Sequence, residues 1–341
     1  MPVYDVIIRN GTIYDGSGGA PYIGDVLMNG DRVVAAGGPA AKAHGRTEID
    51  AAGLAVSPGF INMLSWSVES LIADGRGLSD TLQGVTLEVF GEGASMGPLN
   101  ARMRELELKR QQDIKYAIEW TSLGDYLDWL TARGITPNIG SFVGATTVRV
   151  HELGEGDVDP TAEQLARMRV LVRDAMKEGA LGVGSSLIYA PANFAETPEL
   201  IALSEEAAKC GGMYISHIRD EGPKLLEAID ELVEISRKSG APAEIYHFKQ
   251  SGRDNWDKID AAIARVEAAR AAGHRITADM YTYPASSTGF DAAFPLWVQD
   301  GGLEEWVERL KDPKQRAKAF AWMRGPEATE NTKLVVNEPD K

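Results

Sequence analysis

The chain has 341 residues, 44% of them hydrophobic, which is enough apolar content to form a large core and excludes an intrinsically disordered protein. Its net charge of −15 disfavours binding to nucleic acid or to anionic membranes, because no basic stripe is present to replace their counterions. The single cysteine, Cys210, excludes an intrachain disulfide, and with no apolar run of membrane-spanning length the composition predicts a cytoplasmic protein.

The first predicted elements are short strands within residues 1–57, where apolar and polar residues alternate. Three turn signals interrupt the alternation, at Asn10-Gly11, Asp15-Gly16 and Asn29-Gly30. An Asn-Gly pair between alternating runs is typical of a β-hairpin. Residues 1–57 are therefore predicted to form a small antiparallel unit, which is too short to close a β-sandwich alone.

After residue 57 the pattern changes to short apolar runs that alternate with helical patterns, as in the βα units of a parallel sheet. The runs, each a predicted strand, span residues 59–64, 84–90, 135–143, 180–189, 212–218, 241–248 and 275–283. The tail after residue 300 offers only a helix and one weak strand at 334–337. A doubly wound sheet would need a glycine-rich phosphate loop after its first strand, which is absent. Residues 58–341 are therefore predicted to form an α/β, TIM-like (β/α)8 barrel that lacks its eighth strand.

Candidate metal ligands stand where predicted strands end, which is the functional edge of such a barrel. His217 and His247 close consecutive strands. Adjacent parallel strands lie about 4.8 Å apart, so both imidazoles could reach one ion. Glu92 follows the second strand between two glycines that would let the backbone bend toward the same place. Two histidines and a carboxylate with an open fourth position are a common catalytic zinc set.

The alternative interpretation is that these side chains are ordinary polar residues at strand ends. Two of the five histidines in equivalent places on consecutive strands favour the metal site. Glu88 competes with Glu92 as the acidic ligand. Asp279, in the last predicted strand, is a candidate to orient a histidine ligand.

Several longer motifs occur in order along nearly the whole chain. They are VIIRNGTIYDGSG, GLAVSPGFIN, QGVTLEVFGEG, EGALGVGSSLIYAPA, YISHIRDEG, IYHFKQSGRDNW and DMYTYPASST. In order and spacing they resemble the N-acyl-D-amino-acid deacylase (D-aminoacylase) family of the amidohydrolase superfamily. The resemblance implies a metal-bearing (β/α)8 barrel and a small composite β-sandwich built from both chain ends, with residues 1–57 as its N-terminal part.

The resemblance also implies roles for single residues. His217 and His247 match the histidine ligands of the family's retained metal, and Glu92 stands nearest to the place of its usual cysteine ligand. Lys249 and Tyr189 match positions near the substrate, where they would hold its carboxylate or the developing oxyanion. Each of these two could equally be a solvated or packing side chain.

Two departures from the family pattern change what is expected. The histidines of the first-strand signature are replaced by Leu64 and Trp66, which cannot bind a borderline cation, so one Zn²⁺ is expected rather than two. The family's catalytic aspartate comes from the eighth strand, which the predicted strands do not include. The catalytic base is therefore unassigned, the chain is expected to be C-terminally incomplete, and it is not expected to suffice for catalysis by itself.

The resemblance implies a hydrolase of carbon–nitrogen bonds other than peptide bonds, which uses metal-activated water on the linear amide of an N-acyl amino acid, in this family an N-acyl-D-amino acid. Two alternatives stay open: a cyclic-amide hydrolase or deaminase on the same scaffold, and a non-catalytic metal- or ligand-binding relative. The expected partner is this small-molecule substrate, without nucleic acid or membrane. The oligomeric state stays open, including a homo-oligomer.

Overall fold

The computed structural model describes residues 3–283, 285–326 and 328–337. The chain divides into two compact units. The first comprises Met1–Phe60 with Gly84–Thr86, and the second comprises Ile61–Gln83 with Leu87–Lys341. The first unit therefore holds the N-terminal strands, and the second holds the alternating strands and helices that carry the candidate site.

The strands of the described residues are short, and after the N-terminal region they alternate with helices. In chain order they are β1 (Val3–Ile13), β2 (Tyr22–Asn29), β3 (Arg32–Gly37), β4 (His44–Asp50), β5 (Ala55–Val56), β6 (Phe60–Asn62), β7 (Val85–Phe90), β8 (Asn138–Ser141), β9 (Val143–Gly144), β10 (Gly182–Ser186), β11 (Met213–His217), β12 (Ala243–Ile245) and β13 (Ile276–Ala278). A strand thus lies within each of the segments predicted between residues 59 and 283, from 59–64 to 275–283.

The N-terminal strands form one mixed sheet with the order β3–β2–β1–β4, in which β5 also pairs with β1. β1 is antiparallel to β2, and β2 to β3, but β4 and β5 both run parallel to β1. The prediction of a purely antiparallel unit is therefore wrong for β4 and β5. After β3 the chain does not continue the meander but returns to the free edge of β1. The alternation of apolar and polar residues is the same in parallel and antiparallel strands, so it does not distinguish the two directions. The composite sandwich stays a prediction.

The two Asn-Gly signals have different outcomes. Asn29 pairs with Arg32 across a tight hairpin, and Gly30 has a φ of 54°. Asn10-Gly11 does not form the predicted turn, because β1 continues through it with a bulge at which Asn10 has a φ of 60°. A left-handed residue suits a bulge as well as a turn, so the dipeptide alone does not distinguish them.

In the second unit, strands that follow one another in the sequence are also neighbours in the sheets. One sheet has the order β6–β7–β8 and the other has the order β9–β10–β11–β12–β13, and every pair from β9 onward is parallel, as is β7 with β8. Only Phe142 separates β8 from β9, and its N–H donates to the carbonyl of Phe90 at 2.9 Å. This succession of parallel strands is that of a β/α barrel, and its closure by an eighth strand stays a prediction.

Neighbouring residues on these strands face two different cores. One core is a small cluster of fully buried side chains: Val89, Phe142, Ile215 and Tyr246. The adjacent residues pack instead into the large core that the helices share: Phe90, Val143, Tyr214 and Ile245. Alternate residues of each strand therefore point to opposite faces, and both faces are covered. The same alternation determines which residues further along each strand point toward the small cluster.

The helices lie between the strands and continue to the end of the described chain. They are α1 (Ser70–Ala73), α2 (Leu78–Thr81), α3 (Ala101–Arg110), α4 (Leu123–Ala132), α5 (Ala145–Leu153), α6 (Ala162–Lys177), α7 (Thr197–Lys209), α8 (Leu225–Ser239), α9 (Ile259–Ala271), α10 (Leu296–Gln299), α11 (Leu303–Lys311), α12 (Pro313–Met323) and α13 (Glu330–Asn337), with 3-10 turns at Ala192–Phe194, Arg253–Lys258 and Phe290–Ala293. Among the described residues, no helix combines the length and apolar character needed to cross a bilayer.

The weak strand predicted at residues 334–337 is wrong, because these residues belong to α13. The hydroxyl of Thr329 accepts from the backbone N–H of Thr332 at 3.1 Å, and its carbonyl accepts from that of Lys333. A threonine hydroxyl that satisfies a free N–H of the first turn is a helix N-cap. That local start signal outweighs the β-branched residues that suggested a strand.

Substitutions at two neighbouring glycines test how closely adjacent strands pack. Both have positive φ, but a Cβ at Gly182 would lie 1.9 Å from the carbonyl oxygen of Met213, whereas a Cβ at Gly179 would meet nothing within 4 Å. Gly182→Ala is expected to lower the free energy of unfolding by more than about 3 kcal/mol, through backbone strain and overpacking together. Gly179→Ala is expected to cost only about 1 kcal/mol. Urea denaturation measures both, and equal losses would contradict the close approach of β10 to β11.

Candidate metal centre

Glu92 is brought to the site by the two glycines on either side of it. Gly91 has a φ of 105° and Gly93 a φ of 71°, so the backbone bends sharply after β7. Gly91 also has no room for a side chain, because a Cβ there would lie 2.4 Å from the carbonyl oxygen of Phe142. The carboxylate of Glu92 is buried, with 7% of the residue exposed.

The competing carboxylate, Glu88, lies elsewhere. It is fully buried, and its Oε2 accepts from the hydroxyl of Ser65 at 2.7 Å. Glu88 directly precedes Val89 of the small core cluster, so the alternation of the strand points it to the other face. Of the two candidates, the structure therefore groups Glu92 with the histidines.

His217 reaches the site by the regular alternation of β11. It lies two residues after Ile215, so its imidazole is on the same face as the small core cluster. Its Nδ1 is 3.0 Å from Oε1 of Glu92. The residue is buried, and it is the last of its strand, which places the ring at the carboxyl edge of the sheet.

His247 reaches the site by departing from that alternation. It follows β12 directly after Tyr246, and an extended backbone would point it to the opposite face. Instead its φ is 37°, a conformation that is uncommon for a non-glycine residue and recurs at functional sites. The imidazole then lies 4.4 Å from that of His217 between ring centres, with Nε2 at 3.5 Å from Oε1 of Glu92.

Asp279 holds the backbone at this departure. Its Oδ1 accepts from the N–H of His247 at 2.6 Å, and its carbonyl accepts from the N–H of Phe248 at 2.9 Å. The sequence analysis suggested that Asp279 would orient a histidine ligand, and the observed contact is with the main chain of that histidine. Burial raises the pKa of Asp279 to about 6.

The three side chains have the spacing that a metal ion requires. Their ligand-forming atoms all lie within 4.8 Å of one another. A tetrahedral zinc ion with bonds of about 2.1 Å would place its ligand atoms about 3.4 Å apart, which compares with the observed 3.0 and 3.5 Å from Glu92 to the two imidazoles. Two imidazoles and a carboxylate at this spacing fit a divalent cation.

The close spacing of these side chains also shifts their pKa values. Burial raises the pKa of Glu92, but the adjacent His217 and His247 outweigh burial and lower that pKa to about 2. Burial lowers the pKa of His247, but hydrogen bonds to Glu221 and Glu92 outweigh it and raise that pKa to about 9. A proton on His247 thus substitutes for a cation between the two carboxylates.

Glu221 is a site residue that the sequence analysis missed. Its Oε1 lies 3.0 Å from Nδ1 of His247 and accepts from Nζ of Lys249 at 2.7 Å. Nδ1 of His247 lies between this carboxylate and Nζ of Lys249, which is 2.9 Å away. When Nδ1 carries its proton toward Glu221, Nε2 is left free, which is the usual support of a metal-binding histidine. The available signal was its position four residues after His217, within the polar run that follows β11.

Lys249 and Tyr189, the predicted substrate-binding residues, both line a cavity of about 620 Å³ that contains the metal cluster. Nζ of Lys249 lies 5.6 Å from the ring centre of Tyr281, on another wall of the cavity. The ring of Tyr189 is 5.8 Å from that of His217, and burial raises the pKa of Tyr189, so its hydroxyl keeps its proton at neutral pH.

Arg219 ties together the two loops that carry Tyr189 and His217, and the sequence analysis did not identify it. Its guanidinium donates to the carbonyls of Asn193 and Ala195, each at 2.8 Å, and pairs with Glu231. The loop after β10 is thereby fixed to the residues that follow β11.

Leu64 and Trp66, which replace the family's first-strand histidines, also line the cavity. Leu64 packs against the small core cluster, as an apolar replacement should. Trp66 does more than fill space, because its indole Nε1 donates to Oε2 of Glu92 at 3.0 Å. Trp66 therefore adds a hydrogen-bond donor to this side of the cavity, beside the apolar Leu64.

The chain is similar to several known proteins. No family model matches the chain. An N-acyl-D-aspartate deacylase of Alcaligenes xylosoxydans xylosoxydans is 34% identical over 289 residues, which cover 83% of this chain and 57% of that relative. A crystal structure of a D-aminoacylase has a TM-score of 0.75 at 32% identity, covering 84% of this chain and 60% of that one.

A second solved structure is an N-acyl-D-glutamate deacylase from Bordetella bronchiseptica, in complex with zinc and a phosphonate inhibitor. Its TM-score is 0.74 at 28% identity, covering 84% of this chain and 60% of that one. These similarities define the chain as a member of the amidohydrolase class. Within that class it belongs to the N-acyl-D-amino-acid deacylase (D-aminoacylase) family, and the resemblance of its motifs is confirmed. The chain spans 57% of the length of the curated relative.

Proposed function

We propose that this protein hydrolyses the amide bond of N-acyl-D-amino acids at a zinc centre formed by Glu92, His217 and His247. The observation that carries the proposal is the convergence of these three side chains, with ligand-forming atoms within 4.8 Å of one another. The relatives are deacylases of N-acyl-D-aspartate and N-acyl-D-glutamate and a D-aminoacylase, and they supply the substrate class.

The chain's own residues prepare the site for the metal. Glu92 is ionised and buried, and Glu221 lies 3.0 Å from Nδ1 of His247, whose Nε2 faces Glu92. A bound Zn²⁺ supplies Lewis acidity, which polarises an amide carbonyl and eases the ionisation of water. Leu64 offers no ligand atom and the indole of Trp66 is a donor only, so we propose a single ion.

Substrate binding is proposed for Lys249 and Tyr189. The ammonium group of Lys249 would attract the carboxylate of an N-acyl amino acid, while Glu221 holds that ammonium in place at 2.7 Å. The protonated hydroxyl of Tyr189 would donate to an oxygen that gains negative charge during the reaction. The proton acceptor is assigned to neither residue, and the family resemblance places it on an aspartate of an eighth strand.

The proposal is tested by removing and restoring the metal. Dialysis of the full-length gene product against a chelator is expected to abolish hydrolysis of N-acetyl-D-amino acids, and about one equivalent of Zn²⁺ should restore it. The matching N-acetyl-L-amino acids serve as the control and are expected to be poor substrates. Full activity in protein shown by elemental analysis to be free of metal would overturn the proposal.

A further inference from the structure

The two oxygens of Glu92 have different partners. Oε1 faces the histidines, at 3.0 Å from Nδ1 of His217 and 3.5 Å from Nε2 of His247. Oε2 accepts the indole N–H of Trp66 at 3.0 Å. The carboxylate is therefore held in one orientation, with one oxygen directed to the cluster and the other occupied.

We infer that Trp66 is a positioning residue, which holds Glu92 as a single-oxygen ligand and blocks a second ion on its other oxygen. This inference rests on the metal centre of the proposed function. An indole Nε1–H can donate a hydrogen bond but offers no lone pair to a cation. A second ion on Oε2 would have to displace that bond and would gain no ligand from Trp66.

The exposure of Trp66 supports a role for its N–H rather than for its ring. About 62% of the residue is exposed, so burial of its apolar surface does not account for its place beside a buried carboxylate. Glu92 itself is buried and ionised, and hydrogen bonds to ionised groups are stronger than those between neutral groups. The bond therefore orients the ligand while most of the ring faces the open cavity.

Trp66→Phe removes the N–H and keeps an aromatic ring. Trp129→Phe is the matched control, because the indole of Trp129 donates to Glu119 at 2.7 Å and neither residue lines the cavity of the metal cluster. Zinc affinity is measured by competition with a chromophoric chelator, and the visible spectrum of the Co²⁺-substituted protein reports the coordination geometry. Neither measurement depends on hydrolysis.

Trp66→Phe is expected to bind zinc about 10- to 100-fold more weakly, as for loss of other hydrogen bonds to metal ligands. Its Co²⁺ spectrum should lose intensity, because a carboxylate that is free to bind through both oxygens raises the coordination number. Trp129→Phe should match the unaltered protein in both measurements. Unchanged affinity and spectrum in Trp66→Phe would overturn the role of Trp66 alone, whereas failure of the unaltered protein to bind zinc would overturn the metal centre itself.

Discussion

Replacing His217 or His247 with alanine is expected to remove the metal and reduce hydrolysis to the background rate. Each histidine supplies one of only three proposed protein ligands, and the remaining two side chains cannot hold zinc at neutral pH with comparable affinity. The measured quantities are zinc per chain, by elemental analysis after gel filtration, and the rate of N-acetyl-D-amino acid hydrolysis. Both should fall together, by at least about a thousandfold for the rate.

His274→Ala is the matched control for these substitutions. His274 precedes β13 and is not part of the cluster that Glu92, His217 and His247 form. It should keep its full zinc content and rate. A His217→Ala protein that still holds one tightly bound zinc ion would contradict the ligand assignment, whatever its activity.

The affinity of the metal-free protein for zinc is expected to rise about tenfold per pH unit up to about pH 9. His247 has a pKa of about 9 in the folded metal-free chain, and only its neutral form can bind a cation. Below that pH each binding event must therefore release the proton that lies between the carboxylates. Competition titrations from about pH 6 to about pH 9.5 measure the slope.

The same group makes the stability of the metal-free protein depend on pH. Because the pKa of His247 is higher in the folded chain, about 9, than its ordinary value of 6.5, its stabilising contribution is complete below about pH 6.5 and is lost as the pH rises through about 9. The difference corresponds to about 3 kcal/mol. Glu221→Gln should lower the pKa of His247. The pH at which zinc affinity stops rising and the pH at which this stability is lost should then both be lower. A zinc affinity that is constant over this range would show that His247 carries no proton that the metal must displace.

Much of the second unit could be predicted because its signals are local. Each strand segment predicted between residues 59 and 283 contains a strand, since short apolar runs between helical patterns have few other solutions. His217 was also predictable in direction, because it lies two residues after the apolar Ile215 on the same strand. Gly91 and Gly93 correctly indicated the bend that brings Glu92 to the histidines.

The features that could not be predicted depend on contacts between distant parts of the chain. Trp66 and Glu92 are 26 residues apart, and no local pattern states that an indole will donate to that carboxylate. The sequence shows Glu221 as one of several polar residues after β11. Its role depends on its contacts with His247 and Lys249, which follow the next strand. The parallel direction of β4 likewise depends on which edge of the N-terminal sheet is free.

The left-handed backbone at His247 sets stability against function at that position. A histidine with a φ of 37° is strained, and glycine would adopt this conformation with little cost. Above about pH 9, where His247 has lost the proton that stabilises it between Glu92 and Glu221, selection for a more heat-resistant protein without selection for hydrolysis would therefore favour loss of the histidine that the active site needs. Libraries designed to stabilise this protein should keep residue 247 fixed, because there the thermally better variant and the functional one are different sequences.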